Sequence, residues 1–70
     1  MKISDVLDKP IAYAVQRGHT VYVYNDRNHT ILTIGGELYG YTSNTVSVLR
    51  GNVVWVYNDK GSIISNHFAN

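Results

Sequence analysis

Residues 17–26 read RGHTVYVYND, and residues 50–59 read RGNVVWVYND. When residues 15–26 are aligned with residues 48–59, eight of the twelve positions are identical. The matches fall at turn positions and at strand positions alike, so the turn chemistry that all hairpins share does not explain them. The sequence therefore predicts an internal duplication with a unit of about 33 residues, the feature from which the fold follows.

The repeat predicts one all-β domain with units at about 12–44 and 45–70, preceded by an N-terminal segment, 1–11. In that segment Ser4 has the chemistry of a helix cap. A single helical turn over Asp5–Leu7 is therefore expected, and the proline that follows would end it.

Turn signals recur every seven to nine residues from position 11 onward, and the runs between them are rich in Val, Ile, Tyr and Thr. This pattern is typical of an antiparallel meander. The predicted strands are 12–17, 20–25, 30–35, 38–43, 45–50, 53–58 and 62–68. Gly35-Gly36 is interpreted as a two-residue hairpin turn. Asn28 and Gly61 are predicted to adopt the left-handed conformation in two equivalent turns.

The order of strand, glycine turn, Val-aromatic-Val-Tyr strand and Asn-Asp turn is similar to the inner strands of β-propeller blades. The Trp-Asp and Gly-His signatures of such blades are missing and the repeat unit is short for a blade, so no family is assigned. A small barrel, a sandwich and a blade-like arrangement stay open. The second unit ends one strand early, and segment 12–17 of this chain or of a neighbouring subunit would supply that strand.

The size and composition of the chain limit how it can be stabilised. A domain this small buries only about 60% of the surface of its unfolded chain. With no cysteine there is no disulfide, and His19, His29 and His67 lack the short paired spacing of a zinc site. The net charge of +1 predicts no strongly basic surface that would bind nucleic acid or an anionic membrane. Without a visible secretory signal, cytoplasm is the expected location.

Both faces of the predicted strands are apolar. Side chains alternate across a strand, so Val21 and Val23 share one face while Tyr22 and Tyr24 share the other. A solvated face would carry charged residues, yet these make up only 16% of the chain. We therefore expect a homo-oligomer. The candidate interface or ligand face consists of Tyr22, Tyr24, Tyr39, Tyr41, Trp55, Tyr57, Arg17 and Arg50.

No constellation of catalytic, cofactor-binding or metal-ligating residues is recognisable. Asp26 and Asp59 occupy equivalent turns, where aspartate is a common structural residue. Ser65 and His67 can be combined with Asp59 into a triad on paper, but a chance set of these residue types has no specificity. The sequence thus favours a non-enzymatic protein without cofactors.

With enzymatic and cofactor-dependent functions set aside, the sequence predicts a small self-associating β interaction module that binds protein. One alternative is a nucleic-acid-binding β module, in which exposed tyrosines stack bases beside Arg17, Arg27, Arg50 and Lys60. A second alternative is carbohydrate or small-ligand binding. In that case the equivalent aromatic pairs Tyr22/Trp55 and Tyr24/Tyr57 would form one site in each unit.

Overall fold

The structure is a computed structural model that describes residues 10–69. These residues form seven antiparallel strands, as predicted. The strands are β1 (Tyr13–Arg17), β2 (Thr20–Tyr24), β3 (Thr30–Gly35), β4 (Glu37–Tyr41), β5 (Thr45–Arg50), β6 (Val53–Asn58) and β7 (Ile63–Phe68). The helical turn predicted at Asp5–Leu7 lies outside the described residues. Residues 10–69 contain no helix with the length and apolar character that a membrane crossing requires.

The strands form two open sheets. The first sheet has the order β1-β2-β3 and the second has the order β4-β5-β6-β7. Each strand pairs with its neighbours in the chain, except that β3 and β4 belong to different sheets. The chain therefore crosses from one sheet to the other at Gly36. The fourth strand of the first repeat unit becomes an edge strand of the second sheet.

This crossing corrects the interpretation of Gly35-Gly36 as a hairpin turn. Gly36 has φ +134°, and its N–H donates to the His19 carbonyl at 2.7 Å. A Cβ built on Gly36 would lie 2.5 Å from Cγ1 of Val48, so the backbone passes directly over β5. The glycine is required, but it serves a close approach between the sheets rather than a turn within one sheet.

The expected closure by segment 12–17 is also wrong within this chain. That segment forms β1, which pairs with β2 in the first sheet, whereas β7 pairs with β6 at the edge of the second sheet. The two strands lie in different sheets because the crossing at Gly36 divides the meander. That the same segment of a neighbouring subunit supplies the missing strand stays a prediction.

The core lies between the two sheets. The first sheet contributes aliphatic side chains, and the second contributes both aliphatic side chains and an aromatic ring. The buried cluster consists of Ile11, Ala14, Val21, Val23, Ile34, Val46, Val48 and Tyr57. No polar side-chain atom is buried without a partner among residues 10–69. The fold therefore rests on a small, apolar contact between two sheet faces.

The equivalent turns of the two units have the same geometry. Asn28 has φ +67° and Gly61 has φ +88°, which confirms the left-handed conformation predicted for both. Each turn is tied by an asparagine side chain. Asn25 Oδ1 accepts the N–H groups of residues 27 and 29 at 3.0 and 2.9 Å. Asn58 Oδ1 accepts those of residues 60 and 62, both at 2.9 Å.

Replacing Asn58 with alanine is expected to lower the free energy of unfolding by about 1–2 kcal/mol, because two backbone N–H groups lose their acceptor in a partly solvated turn. Asn25→Ala should cost a similar amount, because the turn is repeated. Urea denaturation at fixed chain concentration measures both. The control is Asp59→Ala, which we expect to change stability by less than about 0.5 kcal/mol. Equal losses for Asn58→Ala and Asp59→Ala would contradict the role of the side-chain bonds.

Candidate interaction faces

The outward face of the first sheet is aromatic. Directly paired residues share a face of a sheet, and Tyr13 pairs with Tyr24 while Val15 pairs with Tyr22. The alternate residues are buried against the second sheet, so these side chains point away from it. We call this outward surface the tyrosine face. Its members are Tyr13, Val15, Arg17, Thr20, Tyr22, Tyr24 and Thr33.

The tyrosine face is ordered by contacts among its own side chains. The rings of Tyr13 and Tyr24 stack with centroids 4.9 Å apart and an interplanar angle of 13°. The Cζ atom of Arg17 lies 5.5 Å from the ring centroid of Tyr22. The Tyr13 hydroxyl donates to Oδ1 of Asn28, which fixes the ring to the β2–β3 turn. The result is a flat aromatic surface with one cation at its border, the kind of surface found in protein interfaces.

The equivalent residues of the second unit point inward. The Arg50 guanidinium lies over the rings of Trp55 and Tyr57, 5.4 and 5.7 Å from their centroids. It donates to the Tyr57 hydroxyl at 2.6 Å and to the Gly35 carbonyl at 3.0 Å. Because Gly35 belongs to the first sheet, Arg50 links the two sheets. Tyr57 is a core residue with 8% of its surface exposed.

The candidate residues from the sequence therefore fall into three groups. Arg17, Tyr22 and Tyr24 lie together on the tyrosine face, while Tyr57 and the half-buried Trp55 lie on the inward face of the second sheet and the exposed Arg50 lies at its border. The last two candidates, Tyr39 and Tyr41, are 54% and 46% exposed on the edge strand β4. The sequence-equivalent positions Tyr22 and Trp55 thus have different surroundings. Stacking of bases or sugars on these rings stays a prediction.

The candidate face named from the sequence does not include the apolar residues of β7. This edge strand exposes Ile63, Ile64 and Phe68 by 50%, 54% and 71%. Phe68 also borders a shallow depression lined by Val53, Trp55, Asn66 and His67. The signal was present in the sequence, because the final strand carries apolar residues and neither Lys nor Pro to protect its edge.

The outward face of the second sheet carries valines. Val54 pairs with Leu49 and with His67, and Val56 pairs with Ser47 and with Ser65. We call this surface the valine face, and its members are Glu37, Ser47, Leu49, Val54, Val56, Ser65 and His67. Val54 is fully buried at its centre although it does not belong to the inter-sheet cluster, and Leu49 and Val56 are half-buried beside it.

The charged or titratable members of the two outward faces besides the tyrosines are Arg17 on the first sheet, and Glu37 and His67 on the second. Among residues 10–69 there is no group of three or more His, Cys, Asp or Glu side chains that could hold a metal ion. The chemistry these faces offer is apolar and aromatic contact.

Comparisons with protein-family models, with curated proteins and with solved structures return no significant match to this chain.

Proposed function

We propose that this protein is a small, non-enzymatic β module that acts by self-association through the outward face of its first sheet, in the cytoplasm. The observation that carries the proposal is the tyrosine face. Three tyrosines and a valine form the outside of a three-stranded sheet whose opposite side already packs against the second sheet. These four side chains are only half-buried, and a second protein surface of similar chemistry covers such a surface best.

The chemistry of the face supports a protein partner. Tyrosine gives a large contact area at a low cost in side-chain entropy, and it is enriched at interfaces. The stack of Tyr13 on Tyr24 orders two of the rings before any partner arrives, which lowers the entropic cost of association. Only one positive charge, Arg17, accompanies the tyrosines, and its guanidinium already lies over Tyr22. Phosphate-dependent binding needs more cations than this.

The mass of the assembly in solution tests the proposal. Light scattering or native mass spectrometry at micromolar chain concentration should give a multiple of the 7.9 kDa chain mass. The mass should fall on dilution and change little with added salt, because the contact is apolar rather than ionic. A mass of one chain across the micromolar range would overturn self-association as the function.

A further inference from the structure

The two sheets have four edge strands, and two of these, β1 and β4, lie against each other. Hydrogen bonds link the two strands at both ends. The Ile11 N–H donates to the Ser43 carbonyl at 2.8 Å, and the Leu38 N–H donates to Oε1 of Gln16 at 3.0 Å. The edges of β1 and β4 therefore protect each other within the chain.

The third edge strand, β3, is also in contact with the second sheet. Arg50 donates to the Gly35 carbonyl at 3.0 Å. A Cβ built on Gly61 would lie 3.1 Å from Cδ2 of Leu32, so the turn between β6 and β7 lies beside β3. The fourth edge strand, β7, packs almost entirely on its neighbour β6 among the described strands.

The edge strand β7 exposes apolar side chains and carries no charge. All six of its residues are exposed, and Ile64 and Phe68 expose 54% and 71% of their surfaces. The strand has no Lys, Arg, Asp, Glu or Pro, the residues with which sheets commonly protect an edge. Its one protective device is the register shift on β6 beside Ile64, which leaves residues 65–68 as a regular strand.

The backbone of β7 also has hydrogen-bonding groups at its outer edge. The Ala69 N–H donates to the Asn52 carbonyl at 2.8 Å, on the side of β6. Along an antiparallel strand, residues that bond to one neighbour alternate with residues that do not. The N–H and C=O groups of Asn66 and Phe68 therefore point away from β6, where a further strand would bond to them.

We propose that β7 of one copy pairs antiparallel with β7 of a second copy, about a two-fold axis at Asn66. The two four-stranded sheets then become one sheet of eight strands, which continues the antiparallel order already present in each. Main-chain hydrogen bonds supply much of the affinity of such a contact. The contact uses a different surface from the tyrosine face, so it goes beyond the proposed function.

The side chains of β7 are complementary to themselves in this register. With Asn66 opposite Asn66 of the second copy, Ser65 lies opposite His67, and Ile64 opposite Phe68. Amide thus meets amide, hydroxyl meets imidazole, and apolar meets apolar. A one-residue shift exchanges the faces, and a two-residue shift sets the Asn66 amide against Ile64 or Phe68. Because the strand is uncharged, two copies meet without like-charge repulsion, which favours a second copy as the occupant.

The β7 contact is measured in a variant whose tyrosine face is blocked. Tyr22→Lys, the blocked variant, places a charge on that face and leaves β7 unchanged. It should form a dimer of twice 7.9 kDa, whereas the wild type, with both contacts, should be larger than a dimer. If Tyr22→Lys fails to fold, Thr33→Lys blocks the same face at an exposed position.

A charge exchange at position 66 tests the register. Added to the blocked variant, Asn66→Lys or Asn66→Glu sets two like charges opposite each other and should raise the dissociation constant about tenfold or more. An equimolar mixture of the two should recover the dimer as a heterodimer, which native mass spectrometry identifies by its mass. Asn66→Ala keeps the backbone N–H and is the matched control, and its dissociation constant should stay within about threefold.

Hydrogen exchange tests the backbone bonds directly. In the blocked variant the Asn66 N–H should exchange more slowly at high chain concentration than at high dilution, because the second copy supplies its acceptor. The His67 N–H bonds within the chain and serves as the internal control. Its exchange should depend much less on chain concentration.

The outcomes separate this inference from the proposed function. A blocked variant with the mass of one chain would overturn the β7 contact, including the case in which the edge takes a strand of another protein. A dimer that Asn66→Lys leaves unchanged would also overturn it. If the wild type and Tyr22→Lys form the same dimer and Asn66→Lys alone has the mass of one chain, the β7 contact stands and association through the tyrosine face is wrong.

Discussion

Gly36→Ala is expected to lower the free energy of unfolding by about 3 kcal/mol or more, because strained backbone and overpacking add. A φ of +134° is one that L-residues rarely adopt. The added Cβ would also lie 2.5 Å from Cγ1 of Val48 and 3.0 Å from the Leu49 carbonyl oxygen. Neither neighbour can move aside easily, since Val48 is fully buried and the Leu49 oxygen belongs to the backbone.

The matched control for this substitution is Gly40→Ala. Gly40 lies in β4, has no positive φ, and a Cβ there would meet no atom within 4 Å. We expect its stability to change by less than about 1 kcal/mol, with either sign. Urea denaturation followed by circular dichroism compares the two variants. If Gly36→Ala proves as stable as Gly40→Ala, the close crossing between the sheets is wrong.

Val48→Ala is expected to cost about 2–3 kcal/mol, because it removes two methyl groups from the fully buried centre of the inter-sheet core and leaves a cavity. A small domain has a total stability of only about 5 kcal/mol, so this loss should lower the unfolding midpoint markedly. Thermal and urea denaturation of dilute protein measure it.

The repeat supplies the control for that substitution. Val15 is the equivalent of Val48 but lies half-buried on the tyrosine face. In dilute protein Val15→Ala should cost less than about 1 kcal/mol. Its cost should rise with chain concentration if a second copy covers the face, since binding stabilises the folded state by mass action. Equal costs for the two valines at high dilution would contradict the assignment of inward and outward faces.

The strands and their turns were predictable because they depend on local chemistry. Asn28 and Gly61 occupy positions where the backbone needs a positive φ, and few residues tolerate it. The alternation that separates Val21 from Tyr22 was also confirmed, since it follows from strand geometry alone.

The division into two sheets was not predictable from the same chemistry. A Gly-Gly pair between two strand patterns indicates a hairpin, and only the packing of Gly36 against Val48 makes it a crossing. Which face of each sheet points inward could not be predicted either, because both faces of each strand are apolar. Tyr22 lies outside and Trp55 inside because of where their sheets sit, although the two residues are equivalent in sequence.

The position of β4 also bears on how such a chain could have arisen. β4 belongs to the first repeat unit in sequence and to the second sheet in space. A single ancestral unit of this kind would have carried a fourth strand with no sheet of its own to join. To pair that strand, the unit would have needed the sheet of another copy. Duplication within one gene would place the two copies in one chain, so that a contact between separate molecules became a contact within one molecule. In that case association between copies preceded the present two-unit domain.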